Sequence, residues 1–347
     1  MKILHLLQSS RFSGAENVAC QIIEMMSDKE GQVEAAYCSR DGDIRNTLAE
    51  KNIKFFPLAK FCREEIFRVI SEYKPDIIHA HDMLASVKAA AIAPKDVKII
   101  SHIHNSDFRS RRISAKSVAY LALSPRFSNI IWVSNSCFYG FAFHKPLTGK
   151  SHILYNVIDR DKIIEKINTD ANDYSYDFSY IGRLADPKNP LRFVRIAKLV
   201  SEKKPYARAA IVGTGELEAE VRDEISKLGL ENNIDMLGFM SNPLKVMSCS
   251  KVLAMTSDRE GMPMAALEAT ALGVPIISTP TDGLCDLITQ GENGFLESDE
   301  GAFAERLIAV ISDDSLHKKM SRNVLKKFTE INDRKKYKDV LNEIYGL

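Results

Sequence analysis

The stretch DFSYIGRLADPKNPLRFVRIAKLV, residues 177–200, combines a short apolar run, a glycine and a helical pattern. It predicts a strand over Asp177–Ile181 and a helix over Pro190–Lys203, with proline at the first helical position, where no N–H is needed. Short apolar runs followed by amphipathic helices are typical of a parallel sheet that is covered on both faces. The stretch therefore predicts one strand and one helix of a doubly wound α/β domain.

The same alternation extends in both directions, with a polar stretch at residues 168–173 between two series. Strands of the first series are predicted over Lys2–Leu7, Glu34–Ser39, Lys54–Leu58, Asp76–Ala80, Val97–His102 and Asn129–Ser134. Further strands of the second series are predicted over Ala209–Val212, Ile234–Leu237, Lys251–Met255 and Val274–Ser278. We therefore predict two doubly wound, Rossmann-like domains that face each other across a ligand cleft. Their predicted bounds are 1–160 and 161–325, followed by a C-terminal helix over 326–347 that could pack back on the first domain.

Length and composition fit this interpretation. A chain of 347 residues that is 45% hydrophobic and 27% charged has enough apolar side chains for two cores, which argues against a disordered or collagen-like protein. Its six cysteines include no Cys-x-x-Cys pair, which favours reduced thiols and a cytoplasmic location. No apolar run approaches the roughly 18 residues that span a bilayer, and the first residues lack a secretory signal pattern.

Charge is distributed unevenly along the chain. Residues 1–160 contain 22 Lys and Arg against 16 Asp and Glu, whereas the rest contains 25 against 30. Seven of the eight histidines also lie in the first part. A basic N-terminal part indicates a polyanionic partner, and a solvated surface without a partner is the alternative.

A glycine pair follows the predicted strand over Ala209–Val212. Gly213 and Gly215 stand directly before an acidic helical pattern, where glycines let a backbone approach a phosphate at a helix N-terminus. The dinucleotide fingerprint requires a third glycine at the position that Glu218 occupies. The pattern therefore argues against a nicotinamide enzyme and leaves another phosphate ligand open.

Two cations follow the strand that ends at Ile181. Gly182 permits a tight exit from the strand, and Arg183 and Lys188 are then expected at the carboxyl edge of the sheet, where doubly wound folds bind ligands. An Arg fork together with a Lys point charge suits a diphosphate. The alternative is a solvated basic loop.

Two glutamates, Glu260 and Glu268, flank the predicted start of a helix at Pro263. Glu260 is expected in the loop and Glu268 on the first turns of the helix. Backbone N–H groups from Gly261 to Met264 would then lie between two acceptors of hydroxyl hydrogen bonds, which suits a sugar with a ribose and a phosphate nearby. As an alternative, Glu268 is an ordinary first-turn carboxylate that the helix dipole favours.

Taken in order, these residues resemble family 4 of the retaining, nucleotide-sugar-dependent glycosyltransferases, which have the GT-B fold. Order and spacing agree over roughly residues 178–300. The matching segments are Gly182-Arg183 with Lys188, Val212–Gly215, Gly238-Phe239, Glu260–Glu268, Ala271–Ile277 and Asn293–Phe295. In the first domain, Gly14-Ala15-Glu16 resembles the turn that touches the donor phosphate region in family members that make bacterial surface polysaccharides. Ile103-His104-Asn105 resembles their active-site histidine segment.

The resemblance implies a role for each residue. The second domain would bind the donor and the first domain the acceptor. Arg183 and Lys188 would neutralise the donor diphosphate in place of a divalent metal, so no metal and no cofactor are expected. Glu268 would bind the ribose hydroxyls, and Glu260 would hold the transferred sugar. The expected catalytic residues are His104, Arg183, Lys188 and Glu260, and the expected donor-binding residues are Gly14, Gly182, Gly213, Gly215, Phe239, Gly261, Met262, Pro263, Met264 and Glu268.

The resemblance places His104 on the sugar and acceptor side. On the basis of side-chain alternation along a strand, we expect only one of His102 and His104 to face the cleft, and we favour His104. The alternative is that either ring is a buried histidine satisfied by the backbone.

The activity implied is transfer of a hexosyl group, with retention, from a nucleoside diphosphate sugar to a saccharide acceptor. A UDP-sugar is favoured over a GDP-sugar, and the acceptor is expected to be lipid-linked, in capsule, exopolysaccharide or lipopolysaccharide synthesis. Two other functions stay open: a nucleotide-sugar epimerase of the same fold, and a non-catalytic partner protein with a retained cleft.

A basic segment with interleaved apolar residues lies in the first domain. Its cations are Arg109, Arg111, Arg112, Lys116 and Arg126. They indicate an interfacial element on an anionic membrane, which would make the protein peripheral on the inner face of the plasma membrane. An amphipathic helix with a solvated basic face is the alternative, and no nucleic-acid partner is expected because the rest of the chain carries no such stripe.

Overall fold

The computed structural model describes residues 1–27, 32–105 and 109–347. These residues form two units, and each unit is built on one parallel sheet. The first unit comprises Met1–Asn156 together with Arg334–Leu347, and the second comprises Val157–Asp333.

The first unit contains a seven-stranded parallel sheet with the order β3-β2-β1-β4-β5-β6-β7. Its strands are β1 (Lys2–Leu6), β2 (Glu34–Arg40), β3 (Lys54–Leu58), β4 (Ile77–His81), β5 (Lys98–Ile103), β6 (Phe127–Trp132) and β7 (Ser151–Ile153). The helices between them are α1 (Gly14–Met26), α2 (Ile44–Glu50), α3 (Arg63–Tyr73), α4 (Asp82–Ile92), α5 (Ala115–Leu123) and α6 (Asn135–Gly140).

The second unit contains a six-stranded parallel sheet with the order β10-β9-β8-β11-β12-β13. Its strands are β8 (Tyr176–Ile181), β9 (Ala209–Val212), β10 (Ile234–Gly238), β11 (Ser250–Met255), β12 (Ile276–Ser278) and β13 (Gly294–Leu296). Its helices are α7 (Arg160–Asn168), α8 (Pro190–Lys203), α9 (Glu218–Lys227), α10 (Leu244–Ser248), α11 (Met264–Leu272), α12 (Asp282–Leu287), α13 (Glu300–Ser312) and α14 (Asp314–Ile331). The last helix, α15 (Arg334–Tyr345), belongs to the first unit.

The prediction of two doubly wound parallel sheets is confirmed. Apolar side chains from strands and helices meet as the alternation requires. In the second unit Phe178 of β8 and Phe193 of α8 are buried, with ring centroids 5.5 Å apart. Burying one such side chain contributes about 1.5–3 kcal/mol, so this strand and helix anchor each other.

The strand order places ligand-binding edges at defined positions. In a doubly wound sheet, ligands bind at the carboxyl ends of the two strands between which the order reverses. These strands are β1 and β4 in the first unit and β8 and β11 in the second. The loops that follow these four strands are therefore where a site is expected.

No helix within the described ranges combines the length and the apolar character that crossing a bilayer requires.

Candidate active site

Two loops lie together at the point where the strand order of the second sheet reverses. One leaves β8 and carries Arg183 and Lys188, and the other leaves β11 and carries Glu260. The backbone N–H of Asp258 donates to the carbonyl oxygen of Pro187 at 3.0 Å, and Thr256 Oγ1 donates to the carbonyl oxygen of Asn189 at 2.9 Å. The two loops are thus held together by a backbone N–H and a threonine hydroxyl, independently of what their charged side chains bind.

Lys188 and Glu260 form an ion pair in this structure. The Lys188 ammonium donates to Oε1 of Glu260, and the Ser257 hydroxyl donates to the same oxygen at 2.7 Å. Glu260 is buried, with 9% of its surface exposed. Two residues that the sequence assigned to the diphosphate and to the sugar are therefore brought into direct contact.

Arg183 is held differently. Its carbonyl oxygen accepts a hydrogen bond from the Tyr180 hydroxyl at 2.9 Å, while its side chain is exposed. Within the described residues, the guanidinium makes no hydrogen bond or ion pair. The backbone of Arg183 is thus held in place, while its own guanidinium is available to bind a ligand.

Gly213 and Gly215 are explained by packing of this loop. Gly213 has φ 140°, and a Cβ there would lie 2.0 Å from the carbonyl oxygen of Gly182. A Cβ on Gly215 would lie 2.2 Å from the carbonyl oxygen of Leu184. The backbone of the Arg183 loop fills the space beside both glycines, where the sequence pattern predicts a phosphate. These glycines therefore do not by themselves indicate a ligand. Gly182 is not constrained in this way, since a Cβ there would meet nothing closer than the Tyr180 hydroxyl at 3.7 Å.

Glu268 lies on the second turn of α11, which begins at Met264 after the N-cap residue Pro263. The alternative interpretation, that Glu268 is an ordinary first-turn carboxylate, is therefore wrong, because α11 has no acidic residue in its first turn. Burial raises the pKa of Glu268 to about 7, and the charge of Lys166 acts in the opposite direction. Among the described residues, Glu268 has no hydrogen-bond partner. The structure does not join it to Arg183, Lys188 or Glu260.

The segment before α11 is buried. Gly261, Met262, Pro263 and Met264 are all inaccessible or nearly so. A Cβ on Gly283, at the start of α12, would lie 1.9 Å from the carbonyl oxygen of Gly261, so α12 packs directly on this segment. The start of α11 is thereby fixed by backbone contact.

Phe239 follows β10 and is 74% exposed. Gly238, which precedes it, has φ 70°, and its carbonyl oxygen accepts the N–H of Gly213 at 2.8 Å. The same hydrogen bond attaches the end of β10 to the glycine pair. Phe239, an expected donor-binding residue, therefore presents an exposed aromatic ring at the end of β10.

In the first unit, a pocket lies at the carboxyl ends of β1 and β4, and its lining includes Glu16, Arg40, His81 and Asp82. Glu16 is buried, accepts a hydrogen bond from the Ser13 hydroxyl, and has a pKa raised chiefly by burial and further by the charge of Asp82.

Gly14 is the first residue of α1. A Cβ on Gly14 would meet nothing within 4 Å. Packing within the unit therefore does not require a glycine at this position.

His104 lies beside this pocket, directly after β5. Its Nε2 is 2.7 Å from Nδ1 of His81, and its backbone N–H donates to Oδ1 of Asp82 at 3.0 Å. Burial lowers the pKa of His104 to about 3.

The expectation that only one of His102 and His104 faces this side is wrong. Their rings stack with centroids 4.2 Å apart, because residues two apart on a strand point to the same face. The alternative, in which the backbone satisfies one of these rings, is also wrong, since each ring hydrogen bonds to another histidine.

The sequence interpretation missed three further histidines of the same cluster, namely His5, His79 and His81. All three are buried, and β1, β4 and β5 bring them next to His102 and His104. The signal was the His-x-His pattern, which occurs within β4 and again at the end of β5, and which places each pair of rings on one face of the sheet.

One ring nitrogen each from His5, His79 and His81 lies within 4.8 Å of the others, and the same holds for His81, His102 and His104. Imidazole nitrogens at such a spacing could ligate a transition metal. The expectation that the protein holds no metal stays a prediction.

The basic segment is exposed in part. Arg109, Arg111 and Arg112 are exposed, and Ile113 beside them is 80% exposed. Lys116 on α5 is half-buried.

Arg126 differs from these cations because its guanidinium donates to the carbonyl oxygens of Ala93 at 3.0 Å and Pro94 at 2.8 Å. These bonds anchor it to the chain after α4. Its place among the membrane-facing cations stays a prediction.

Two Rossmann-like domains with parallel sheets, and charged loops where the strand order of the second sheet reverses, define the GT-B class of glycosyltransferase fold. The family described as glycosyl transferases group 1 matches residues 159–327, and the glycosyltransferase family 4 model matches residues 12–162. Because the two matches together extend from the first sheet to α14, the chain belongs to the family 4 type of GT-B glycosyltransferases.

Relatives in bacterial polysaccharide synthesis agree with this assignment. The UDP-Gal:α-D-GlcNAc-diphosphoundecaprenol α-1,3-galactosyltransferase of Escherichia coli is 24% identical over 379 residues, which cover 99% of this chain and 96% of that protein. The capsular polysaccharide biosynthesis glycosyltransferase CapM of Staphylococcus aureus is 29% identical over 170 residues, 48% of this chain and 44% of that protein. The crystal structure of Anabaena HepE with UDP-glucose shares the fold, with a TM-score of 0.84, 22% identity and coverage of 100% of this chain and 99% of that one.

Proposed function

We propose that the protein is a retaining glycosyltransferase that moves a hexosyl group from a UDP-sugar to a hydroxyl of a lipid-linked saccharide. The observation that carries this proposal is the loop pair after β8 and β11, which holds Arg183, Lys188 and Glu260 at one sheet edge. The E. coli relative supports it, because its name specifies a UDP-sugar donor and a diphosphoundecaprenol-linked acceptor. A GDP-sugar is the alternative donor.

Arg183 and Lys188 are proposed to bind the donor diphosphate. The exposed guanidinium of Arg183 can engage two phosphate oxygens at once, as planar forks do. Lys188 would exchange its contact with Glu260 for a phosphate oxygen. The carboxylate so released would accept hydrogen bonds from hydroxyls of the transferred sugar, next to the N–H groups of Gly261 and Met262.

The nucleoside is proposed to lie between Phe239 and Glu268. The exposed ring of Phe239 offers a face for the base to stack on. The Glu268 carboxyl is half-buried and has no partner among the described residues, so two ribose hydroxyls would supply the hydrogen bonds that it lacks. Gly14 is proposed to contact the donor phosphate region because the resemblance implies it, and a Cβ at Gly14 would meet nothing within 4 Å.

The proposed reaction is a front-face substitution. The bond from the anomeric carbon to the leaving diphosphate oxygen breaks, and the new glycosidic bond forms on the same face. The leaving diphosphate accepts the proton of the acceptor hydroxyl, and its charge is stabilised by Arg183 and Lys188. The cations of Arg183 and Lys188 would take the role of a divalent metal, so we propose that neither a metal nor a cofactor is needed.

The decisive experiment incubates the protein with candidate UDP- and GDP-sugars and a diphosphate-lipid-linked saccharide, and determines the anomeric configuration of the product by NMR. We expect transfer from a UDP-sugar with retention, unaffected by EDTA. Inverted product would contradict the mechanism, and loss of activity on chelation that Mg²⁺ restores would contradict metal independence. Release of an altered nucleotide sugar without acceptor would indicate an epimerase, and donor binding without turnover would indicate a non-catalytic partner.

A further inference from the structure

Three buried histidines of the first unit form a continuous hydrogen-bonded file that ends beside the pocket at the carboxyl ends of β1 and β4. His5 Nδ1 lies 3.0 Å from His81 Nε2, and His81 Nδ1 lies 2.7 Å from His104 Nε2. The file crosses β1 and β4 and reaches the residue after β5. At one end of the file, Nε2 of His5 has no partner among the described residues. At the other end, Nδ1 of His104 takes part in neither ring-to-ring hydrogen bond.

The three rings are neutral near pH 7. Burial lowers the pKa of His5 and of His104 to about 3, and burial together with neighbouring histidines lowers the pKa of His81 well below its ordinary value. The nearby carboxylate of Asp82 accepts the backbone N–H of His104, at 3.0 Å. Each ring of the file therefore carries one N–H.

Only two proton arrangements satisfy both ring-to-ring hydrogen bonds. Each bond needs one proton, and neutral His81 can donate only once. Either His5 donates to His81 and His81 to His104, or both bonds are reversed. The first arrangement leaves a lone pair at His5 Nε2 and an N–H at His104 Nδ1, whereas the second leaves an N–H at His5 Nε2.

The closed end of the file decides between these arrangements. His5 Nε2 is buried, and no described residue hydrogen bonds to it. A buried N–H without an acceptor is rarer in proteins than an under-satisfied acceptor, because the donor loses its full interaction with water. The arrangement with a lone pair at His5 Nε2 is therefore favoured.

We propose that His5 and His81 are positioning residues that hold His104 as the Nδ1–H tautomer, so that His104 donates a hydrogen bond to a substrate oxygen. His104 then acts as a donor and not as a base. The substrate contact rests on the proposed function, whereas the tautomer follows from the file alone.

A second file provides an internal control. His102 Nδ1 lies 3.1 Å from His79 Nε2, and His79 Nδ1 lies 2.7 Å from the hydroxyl of Tyr345 on α15. This file ends on the C-terminal helix and not at the pocket. Breaking it with Tyr345→Phe is expected to lower stability without changing the tautomer of His104.

The test uses the full chain labelled with ¹⁵N-histidine and dialysed against EDTA. Two-bond ¹H–¹⁵N correlation spectra distinguish protonated from unprotonated ring nitrogens. We expect His104 to show a protonated Nδ1 and an unprotonated Nε2, unchanged between about pH 6 and pH 8 because the ring does not titrate there. A protonated Nε2, or a ring with both nitrogens protonated, would overturn the proposal. So would displacement of the inter-ring protons by one equivalent of ZnCl₂, since the cluster would then be a metal site.

Two variants of His5, which are isosteric with each other, test the direction of donation along the file. His5→Asn should preserve that direction, and His5→Asp should reverse it. In His5→Asn, the amide can keep a donor where Nδ1 stands, so His104 should keep its Nδ1 proton. In His5→Asp, a carboxylate at that place accepts from His81, which forces His104 to carry its proton on Nε2. We expect turnover of His5→Asp to be at least tenfold below that of His5→Asn, with equal affinity for UDP.

An identical His104 tautomer in the two folded variants would overturn the positioning role. If neither variant folds, the wild-type spectrum still decides the tautomer. An inactive wild type with the expected tautomer would instead reject the proposed function.

Discussion

Lys188 and Glu260 satisfy each other in this structure, which has consequences for what each can bind. Truncating one member of a buried pair leaves the other desolvated and unpaired, which is strongly destabilising. Arg183 is exposed and has no such partner in the part of the chain that the structure describes. At the residue scale, the two cations assigned to the diphosphate therefore differ, since only Lys188 must break an existing contact to bind a phosphate.

This difference predicts the behaviour of Arg183→Ala and Lys188→Ala. Hydrogen bonds to charged groups contribute about 1.5–3 kcal/mol, so each substitution should weaken UDP binding by roughly 10- to 150-fold. Only Lys188→Ala should also lower the melting temperature, because it leaves Glu260 unpaired. Isothermal titration with UDP and thermal unfolding measure the two effects.

The control for these variants is the double substitution Lys198→Ala/Lys203→Ala, which removes two cations from the exposed face of α8. It should change neither UDP affinity nor stability appreciably, since exposed ion pairs contribute little. Near-normal UDP affinity in a combined Arg183→Ala/Lys188→Ala variant would reject the diphosphate assignment.

Glu268 predicts a pH-dependent stability. Burial raises its pKa to about 7 in the folded state, against about 4.3 in an unfolded chain, so folding disfavours the ionised form. The wild type should therefore lose stability relative to Glu268→Gln as pH rises from about 4 to 7, by on the order of 3 kcal/mol. Urea unfolding at pH 4.5 and pH 8 should give equal stability at the lower pH and a more stable Gln variant at the higher pH.

Added UDP should reverse this order at pH 8, because ribose hydroxyls stabilise the carboxylate of the wild type and not the amide. Glu305→Gln, a change at an exposed carboxylate on α13, serves as the control. A pH-independent difference between the wild type and Glu268→Gln would contradict the raised pKa. An unchanged affinity for UDP in the Gln variant would reject the ribose contact.

At the scale of elements, the glycines that follow strands serve two distinct purposes. Gly213 and Gly215 let the loop after β8 lie directly on the loop after β9, with backbone atoms where side chains would otherwise stand. Gly14 opens α1 without any such neighbour. The same residue type is thus a packing requirement in the second unit and is unexplained by packing in the first.

Substitution by alanine should separate these purposes. Gly213→Ala and Gly215→Ala place a methyl group about 2 Å from a carbonyl oxygen, so both should lower stability by more than about 3 kcal/mol. Gly14→Ala should raise stability slightly, since alanine is the better helix former, while lowering turnover if donor phosphate approaches α1. Chemical denaturation and transfer assays measure these effects. A folded, stable Gly213→Ala protein would show that the loops can separate.

The sequence predicted those elements whose signals are local. The run over residues 177–181, the glycine after it and the proline at the start of α8 each carry their own signal, and the observed strand and helix agree. It failed where the signal is weak or distant. The edge strands β7 and β13 have three residues each, too few for a periodic pattern. α4 begins directly after β4, with no glycine or proline between them to mark the turn in the sequence. The chain turns instead at Asp82, which adopts φ 68°.

The site residues were likewise predictable where their signal is local, and their mutual contacts were not. Loop residues such as Lys188 and Glu260 follow from strand ends, but their ion pair depends on the adjacency of β8 and β11, which are far apart in the chain. The histidine cluster likewise requires the register of three strands.

At the scale of the whole molecule, basic and acidic residues are distributed unevenly along the chain. Residues 1–160 carry an excess of six basic residues, and the remainder an excess of five acidic ones. The exposed cations Arg109, Arg111 and Arg112 adjoin Ile113, whose side chain is 80% exposed. Basic residues beside an exposed apolar side chain are the combination by which peripheral proteins bind anionic bilayers. A surface of this kind in the proposed acceptor domain suits a lipid-linked acceptor.

We therefore expect Arg109→Gln/Arg111→Gln/Arg112→Gln to reduce binding to vesicles that contain anionic lipid. Each cation near such a surface contributes about 1 kcal/mol, so loss of three should weaken binding by on the order of a hundredfold at low salt. Salt should have a similar effect, since it screens beyond roughly 8 Å at physiological strength. Lys60→Gln/Arg63→Gln/Lys74→Gln, which removes three exposed cations around α3, is the control. Vesicle co-sedimentation decides: equal binding by the two triple variants, or no binding by the wild type, would make the segment a solvated basic surface. Affinity for UDP should be the same in all three proteins, because the proposed donor site belongs to the second unit.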